Sequence, residues 1–492
     1  MKNKVKIRRL ATGVPGLDAI MGGGLPEFSF NLITGPPGSG KTILAHQIMF
    51  ALATRQKPAL FFTVLGETPL KILRYQQQFS FFDLDKINET VHFINLSDDV
   101  ATGNFEAVLA RITAEVEIYS PALVFIDSFR SIIEEAALHN EGAISLVRFI
   151  QQLGVQLSGS HVTSFLLGEF LSGSGSHPIL TVADGLLALE QSVYRNSMVR
   201  KIQVLKMRGQ ASLPGLHTFR ISSAGIQVFP AALVDVVVGD KPVAAKALRS
   251  KARRTMGVPG LDDMLGGGLP SGYSLLVAGP SGSGKTILAT AFLAEGVRRG
   301  EPGIVVAFEQ TPSHSWVRTL DDMINAGQIG LINTRALDLS IDEIVQRLTD
   351  LIIEMKASRV VVDSLTGFEL AVAPTFRQDF RESLFRMFSV LSNLGVTVLM
   401  TSELEDRYVD LRFSPYGAAF LTDAIIVQRY IEVESRLQRV MAVVKVRASA
   451  HQTEIRRYEI TDDGIVIGDQ VLGYEGILGG QPSLKKTIVK EK

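Results

Sequence analysis

The chain has 492 residues, with fifty basic side chains against fifty acidic ones and a formal charge of zero. That length holds two domains or more, and the balanced charge argues against a dedicated nucleic-acid binder. The absence of cysteine excludes disulfides, thiolate metal sites and cysteine nucleophiles, and the missing apolar leader and membrane-length apolar run predict a soluble, cytoplasmic protein.

In chain order, the first distinctive segments are Gly13-Val14-Pro15-Gly16-Leu17-Asp18 and Gly22-Gly23-Gly24-Leu25-Pro26. A short apolar run, Phe30 to Thr34, then leads into Gly35-Pro36-Pro37-Gly38-Ser39-Gly40-Lys41-Thr42 and a helical pattern from Ile43 to Leu52. This is G-x-x-x-x-G-K-[ST] between strand and helix, the P-loop. Gly35, Gly38, Ser39 and Gly40 let backbone N–H groups converge on a polyphosphate, with a helix N-terminus behind them. Lys41 then reaches the outer phosphates, and the Thr42 hydroxyl ligates Mg²⁺.

Downstream, Ala59 to Val64, His92 to Leu96, Leu123 to Asp127 and Val162 to Leu167 read as buried strands. Leu70 to Phe79, Phe105 to Ile118 and Ile144 to Leu153 read as crossover helices. That alternation predicts an α/β fold, a mainly parallel twisted sheet with helices on both faces. Four more runs, Leu186 to Leu189, Lys201 to Met207, Thr218 to Ile221 and Ile226 to Phe229, are spaced as an antiparallel extension. The segment 171–177, Leu-Ser-Gly-Ser-Gly-Ser-His, reads as a flexible loop.

The whole plan then repeats. The leaders recur as Gly257-Val258-Pro259-Gly260-Leu261-Asp262 and Gly266-Gly267-Gly268-Leu269-Pro270. The P-loop recurs as Gly279-Pro280-Ser281-Gly282-Ser283-Gly284-Lys285-Thr286, opening a helix from Ile287 to Val297. The strands recur at Ile304 to Phe308, Val360 to Asp363 and Val396 to Thr401. The extension follows at Ala424 to Tyr430, Val440 to Val446 and Ile455 to Ile460. Repeats of about 240 residues mean domain duplication, not a solenoid. We expect a first domain over 1–235, a basic linker over 236–254, a second domain over 255–478 and a disordered basic tail over 479–492.

Asp127 and Asp363 each end an apolar strand in an Asp-Ser pair, the place for the second acidic element that holds Mg²⁺. Hydrolysis also needs a carboxylate to orient or deprotonate water. The candidates are Glu67, in Gly66-Glu67-Thr68-Pro69, and Glu309, in Glu309-Gln310-Thr311-Pro312. Aligned on Thr-Pro, Glu67 pairs with Gln310, and Gly66 occupies the place of Glu309. A one-residue shift would let Glu67 fill that role instead.

Together the leaders, tandem P-loops, Thr-Pro elements, Asp-Ser strands and terminal meanders resemble the KaiC family, within the RecA/DnaB group of motor folds. The resemblance implies two stacked RecA-like lobes, a homohexamer, and ATP between neighbouring subunits. It also implies that Lys206-Met207-Arg208 and Lys445-Val446-Arg447 reach a neighbour's γ-phosphate from a late strand. Lys206, Arg208, Lys445 and Arg447 would then act as arginine-finger cations do.

Three departures qualify the likeness. The family's adjacent phosphoacceptor pair upstream of Thr422-Asp423 is here Ala419-Phe420. Its two acids before Thr or Ser are reduced to Gly66-Glu67 and Glu309-Gln310. Met400-Thr401-Ser402-Glu403 offers polar groups for sensing phosphate or water, whereas the first unit has Leu166-Leu167-Gly168-Glu169. The expected function is an ATP-hydrolysing, Mg²⁺-dependent oligomeric regulator, with an unidentified regulatory protein as partner and without the usual autophosphorylation pair. The alternatives are an autokinase using another acceptor, with Ser414 and Thr422 nearby, and a DNA-dependent ATPase of the same fold.

Overall fold

The structure, a computed structural model, describes residues 7–64, 74–129, 131–132, 143–169, 179–194, 197–231, 252–308, 315–333, 340–371, 380–404, 421–479 and 483–484. Gly66-Glu67, Glu309-Gln310, the loop 171–177, Ser414 and Ala419-Phe420 lie outside the described residues. So do most of the expected linker and tail and the first residues of the helix expected from Leu70. The chain divides into two compact units, Met1–Ala231 and Ala232–Lys492.

In the first unit nine strands form one sheet. They are β1 (Phe30–Thr34), β2 (Ala59–Thr63), β3 (Val91–Asn95), β4 (Leu123–Asp127) and β5 (Thr163–Gly168). Then come β6 (Gly185–Tyr194), β7 (Ser197–Met207), β8 (His217–Ser222) and β9 (Gly225–Phe229). Their spatial order is β9-β8-β7-β6-β1-β5-β4-β2-β3. From β6 to β3 all neighbours are parallel. From β6 to β9 they are antiparallel, the expected extension.

The second unit repeats this strand for strand. Its β10 (Ser274–Gly279), β11 (Gly303–Ala307), β12 (Ile329–Asn333), β13 (Arg359–Asp363) and β14 (Thr397–Glu403) are followed by β15 (Ala424–Val433), β16 (Arg436–Val446), β17 (Arg456–Thr461) and β18 (Gly464–Gln470). The order β18-β17-β16-β15-β10-β14-β13-β11-β12 is the first order with nine added to every label. The edge strands β12 and β18 were not read from the sequence. β12 is a five-residue run, Ile-Gly-Leu-Ile-Asn, with a glycine inside it, which weakens the strand signal.

Helices close both faces. On one face α1 (Lys41–Leu52) packs its Leu44, Ile48 and Met49 on Ile33, Phe61 and Phe125. On the other, α2 (Phe105–Tyr119) and α3 (Ala143–Gly159) pack on Leu32, Phe62, Val124 and Leu166. Alternate residues of the same strands serve the two faces, so the central strands are apolar throughout. The second unit matches with α4 (Lys285–Arg298), α5 (Ser315–Asn325), α6 (Ile341–Met355) and α7 (Phe380–Asn393). The equivalent helices α2 and α6 even begin alike: the Asn104 side chain accepts from Glu106 and Ala107 N–H, and Ser340 from Glu343 N–H. Among the described residues no helix is long and apolar enough to cross a membrane.

Two boundaries differ from composition. Arg253–Arg254, assigned above to the linker, pair in antiparallel register with Leu269–Pro270. Arg253 Nη1 also donates to the carbonyls of Leu265 and Gly268, so the basic residues here serve the glycine leader instead of a solvated spacer. In the tail, Ser483–Leu484 pair with Tyr474–Glu475.

Candidate nucleotide-binding sites

Both P-loops sit where β1 and β10 end, at the carboxyl edge of the parallel strands, where open α/β sheets bind ligands. The helix caps Gly40 and Gly284 have φ of 102° and 94°. A Cβ at Gly40 would come within 2.9 Å of Ile221, and one at Gly284 within 2.9 Å of Ile460. Glycine is therefore required twice over, by conformation and by contact with the extension strands.

In the first loop Lys41 Nζ donates to the carbonyls of Gly35 at 2.7 Å and Pro36 at 3.0 Å, which holds the ammonium at the loop mouth. Burial lowers its pKa from the usual lysine value, against the carboxylates of Glu169 and Asp127, which raise it. Lys285 makes the same two contacts, both at 2.8 Å, with Gly279 and Pro280. Thr42 Oγ1 donates to Asp127 at 2.7 Å, and Thr286 Oγ1 to Asp363 at 2.8 Å. The structure thus brings P-loop hydroxyl and strand-end carboxylate together in each unit. A hydroxyl beside a carboxylate suits Mg²⁺, a hard cation that takes few protein ligands and keeps its waters.

The units diverge around this shared frame. Thr401 Oγ1 donates to the second oxygen of Asp363. From the pairing of β5 and β14 with β1 and β10, Leu167 occupies the same place in the first unit. Thr401 therefore fixes a carboxylate, a use the sequence did not single out when it marked Thr401 for sensing. Ser402 beside it is fully buried. Glu169 is a further residue that sequence reasoning passed over. It follows Gly168, whose carbonyl accepts from Gly35 N–H at 3.3 Å, and its charge acts on Lys41.

Lys206 and Lys445 occupy the same register, opposite the second residue of β6 and of β15, each beside a β-bulge. Through Leu186 and Ile425 they lie level with Leu32 and Leu276, each three residues before the first glycine of its own P-loop. At about 3.3 Å per residue that sets them back along the strand by roughly 10 Å. Within their own unit they tie down a turn. Lys206 Nζ donates to Leu180 and Thr181 carbonyls, each at 3.2 Å, and Lys445 Nζ to Thr422 O at 2.7 Å. Burial, then the neighbouring Arg208 or Arg447, lowers each lysine pKa, while Asp184 or Asp423 opposes the shift.

Arg208 pairs with Asp184 at 3.0 Å and Arg447 with Asp423 at 3.6 Å, both arginines about half exposed. The aspartates also accept from Phe30 and Ser274 N–H, at 3.0 and 3.1 Å, and so link each finger-like arginine to the start of the P-loop strand. Asp184 was missed in the sequence. Its only signal was that Asp423 stands equivalently before β15.

Comparison with known proteins agrees with the duplicated frame. The family model "ATPase: KaiC" matches residues 10–232 and, a second time, 254–471. The circadian clock oscillator protein KaiC of Picosynechococcus sp. is 29% identical, over 99% of this chain and 94% of that protein. KaiC 1 of Synechocystis sp. is 28% identical over 97% and 92%. KaiC of Prochlorococcus marinus is 27% identical over 97% and 96%. With two RecA-like units, each carrying a P-loop and its strand-end aspartate, the chain belongs to the KaiC family of ATPases.

Proposed function

We propose that the protein hydrolyses ATP as a homohexamer with nucleotide at the subunit interfaces, and that its nucleotide state switches a surface read by a regulatory protein. The observation that carries this reading is the position of Lys206, Arg208, Lys445 and Arg447. They recur in the same register in both units, the lysines set back roughly 10 Å along the strand from their own P-loop, and a nucleotide held by a neighbouring subunit would give them a phosphate to act on. ATP would lie on the glycine loops 35–42 and 279–286, with Lys41 or Lys285 on its outer phosphates. Thr42 with Asp127, and Thr286 with Asp363, would hold Mg²⁺. When bound, the metal neutralises charge on the phosphate oxygens. The trans cations stabilise the charge that develops on the transferring group.

The two units divide the work in this reading. Glu309 is the water-orienting carboxylate of the second unit, while Gly66 stands at the equivalent place in the first, with Glu67 one residue on. At the places the resemblance assigns to the family's usual acceptors stand Ala419 and Phe420, which carry no hydroxyl, so no phosphate transfer is expected there. The first unit therefore holds ATP mainly as a structural ligand, and the second turns it over. Mass measurement on the full chain tests this: Lys41→Ala should impair assembly, and Lys285→Ala should assemble yet hydrolyse little. A fully active monomer overturns the interface reading. Stable label from ATP on Ser414 or Thr422 restores the kinase, and stimulation by single-stranded DNA restores the DNA motor.

A further inference from the structure

The P-loop serines differ in a way that their identical motifs hide. Ser39 and Ser283 are both buried, and each backbone N–H donates to the first proline of its loop. Ser283 Oγ donates to Gln428 Oε1 at 3.1 Å inside the protein. The Ser283 carbonyl accepts from the Tyr458 hydroxyl at 2.6 Å, also buried. Gln428 lies on β15 and Tyr458 on β17, so two strands of the extension grip one loop residue from both of its polar ends.

The register of the two sheets identifies the equivalent places. Asn31 pairs with Gly185 as Leu275 does with Ala424, which sets Leu189 against Gln428. Ser222 pairs with Gly225 as Thr461 does with Gly464, which sets Phe219 against Tyr458. Both grips are thus apolar in the first unit, and Ser39 Oγ is buried with no hydrogen-bond partner among the described residues. The first unit ties the helix instead: the Gln47 side chain exchanges two hydrogen bonds with the Ile226 backbone, at 2.7 and 3.2 Å. Its extension also reaches the loop at an exposed point, where Gln191 donates to the Pro37 carbonyl. Ala291 stands in the place of Gln47 in the second unit.

We infer that Gln428 and Tyr458 are positioning residues for nucleotide binding: they hold the second P-loop in its phosphate-cradling form before nucleotide arrives, whereas nucleotide itself orders the first loop. A cradle works by converging N–H groups, and each loop residue held in advance is one fewer to immobilise on binding. Such a loop suits a site that must empty and refill. One that gains its order from the ligand suits a site that keeps it. The inference rests on the reading that both loops bind Mg–ATP.

The test is hydrogen–deuterium exchange on the full-length protein, read separately on peptides covering 35–42 and 279–286, first without nucleotide and then with Mg–ATP. Without nucleotide the second loop should exchange about tenfold more slowly than the first, in keeping with two buried hydrogen bonds. Gln428→Leu with Tyr458→Phe installs the first unit's residues and should bring 279–286 to the rate of 35–42. The same pair should raise the KM for Mg–ATP about three- to tenfold, with the change falling on KM, not kcat. If the double variant does not fold, Leu189→Gln with Phe219→Tyr in the first unit should slow exchange at 35–42. Equal exchange of the two loops without nucleotide, or no response to either pair, overturns the inference. Loss of the nucleotide reading shows differently, as failure of Mg–ATP to protect either loop.

Discussion

Each unit lays nine strands in the same order, starts its P-loop from the same strand, and sets its lysine-arginine pair in the same register. Around that frame the side chains part company. Beside the strand-end aspartate the first unit has Leu167 and the second Thr401. On the P-loop helix it has His46 and Gln47 where the second has Thr290 and Ala291. The contrast follows from what each part is made of. Phosphate cradling belongs to backbone N–H groups and a lysine, so it survives divergence of everything behind the loop. Orienting water, fixing a carboxylate and holding a loop in advance belong to single side chains, and these diverge first.

Replacing the proposed water-orienting acids gives the largest expected effect. Glu309→Gln should lower steady-state phosphate release by about 10² to 10⁴, while Glu67→Gln changes it little. If Glu67→Gln proves the more damaging, the units have exchanged roles.

Acidification should separate the two units next. His46 is fully buried, its ring 4.5 Å from that of Phe61. Burial drives its pKa to about 3, against the Gln76 side chain, whose hydrogen bond raises it. The charged form is thus disfavoured in the folded state, so stability is intact above about pH 6.5 and erodes as pH falls from there toward about 3. In the second unit burial raises the Asp262 pKa to about 6. Protonating Asp262 therefore stabilises that unit as pH falls from about 6 toward about 4. Between pH 6.5 and 4.5 the first unit should weaken by up to about 1.4 kcal/mol per pH unit from His46. Unit-resolved hydrogen exchange would measure this, and His46→Leu should abolish it. Parallel loss in both units would mean that other carboxylates dominate.

Arg447→Ala should leave ATP binding nearly intact and lower turnover at least tenfold, about 1.4 kcal/mol of transition-state stabilisation. Arg208→Ala should spare turnover and loosen the oligomer if, as proposed, the first unit keeps its nucleotide at a subunit interface. Equilibrium binding, kinetics and mass measurement together separate these outcomes. The smallest effect belongs to Thr401→Leu, which gives the second unit the first unit's residue beside Asp363. Loss of one hydrogen bond to a carboxylate should reduce turnover about two- to tenfold and raise the Mg²⁺ concentration needed. A silent substitution would show that Thr286 alone orients Asp363.

Much of this was legible in the chain. The central strands announce themselves because a parallel strand covered on both faces is apolar at every residue. The P-loops do so because glycine at fixed spacing has a backbone reason that no other residue meets. Asp127 and Asp363 could be read because each ends such a strand within a duplicated order of motifs.

Edges and pairings were not legible. The strand Ile329–Asn333 is short and holds Gly330, so it was not read, and Arg253–Arg254 read as linker because charge alone does not reveal a partner carbonyl. Gln428 and Tyr458 stand 145 and 175 residues from Ser283, and nothing local to either marks it for the loop. The sequence by itself determined which backbone could cradle phosphate and where, since those requirements act over eight consecutive residues. Only the tertiary structure decided which side chains stand behind each cradle, because that follows from strand register, set by packing across the whole sheet.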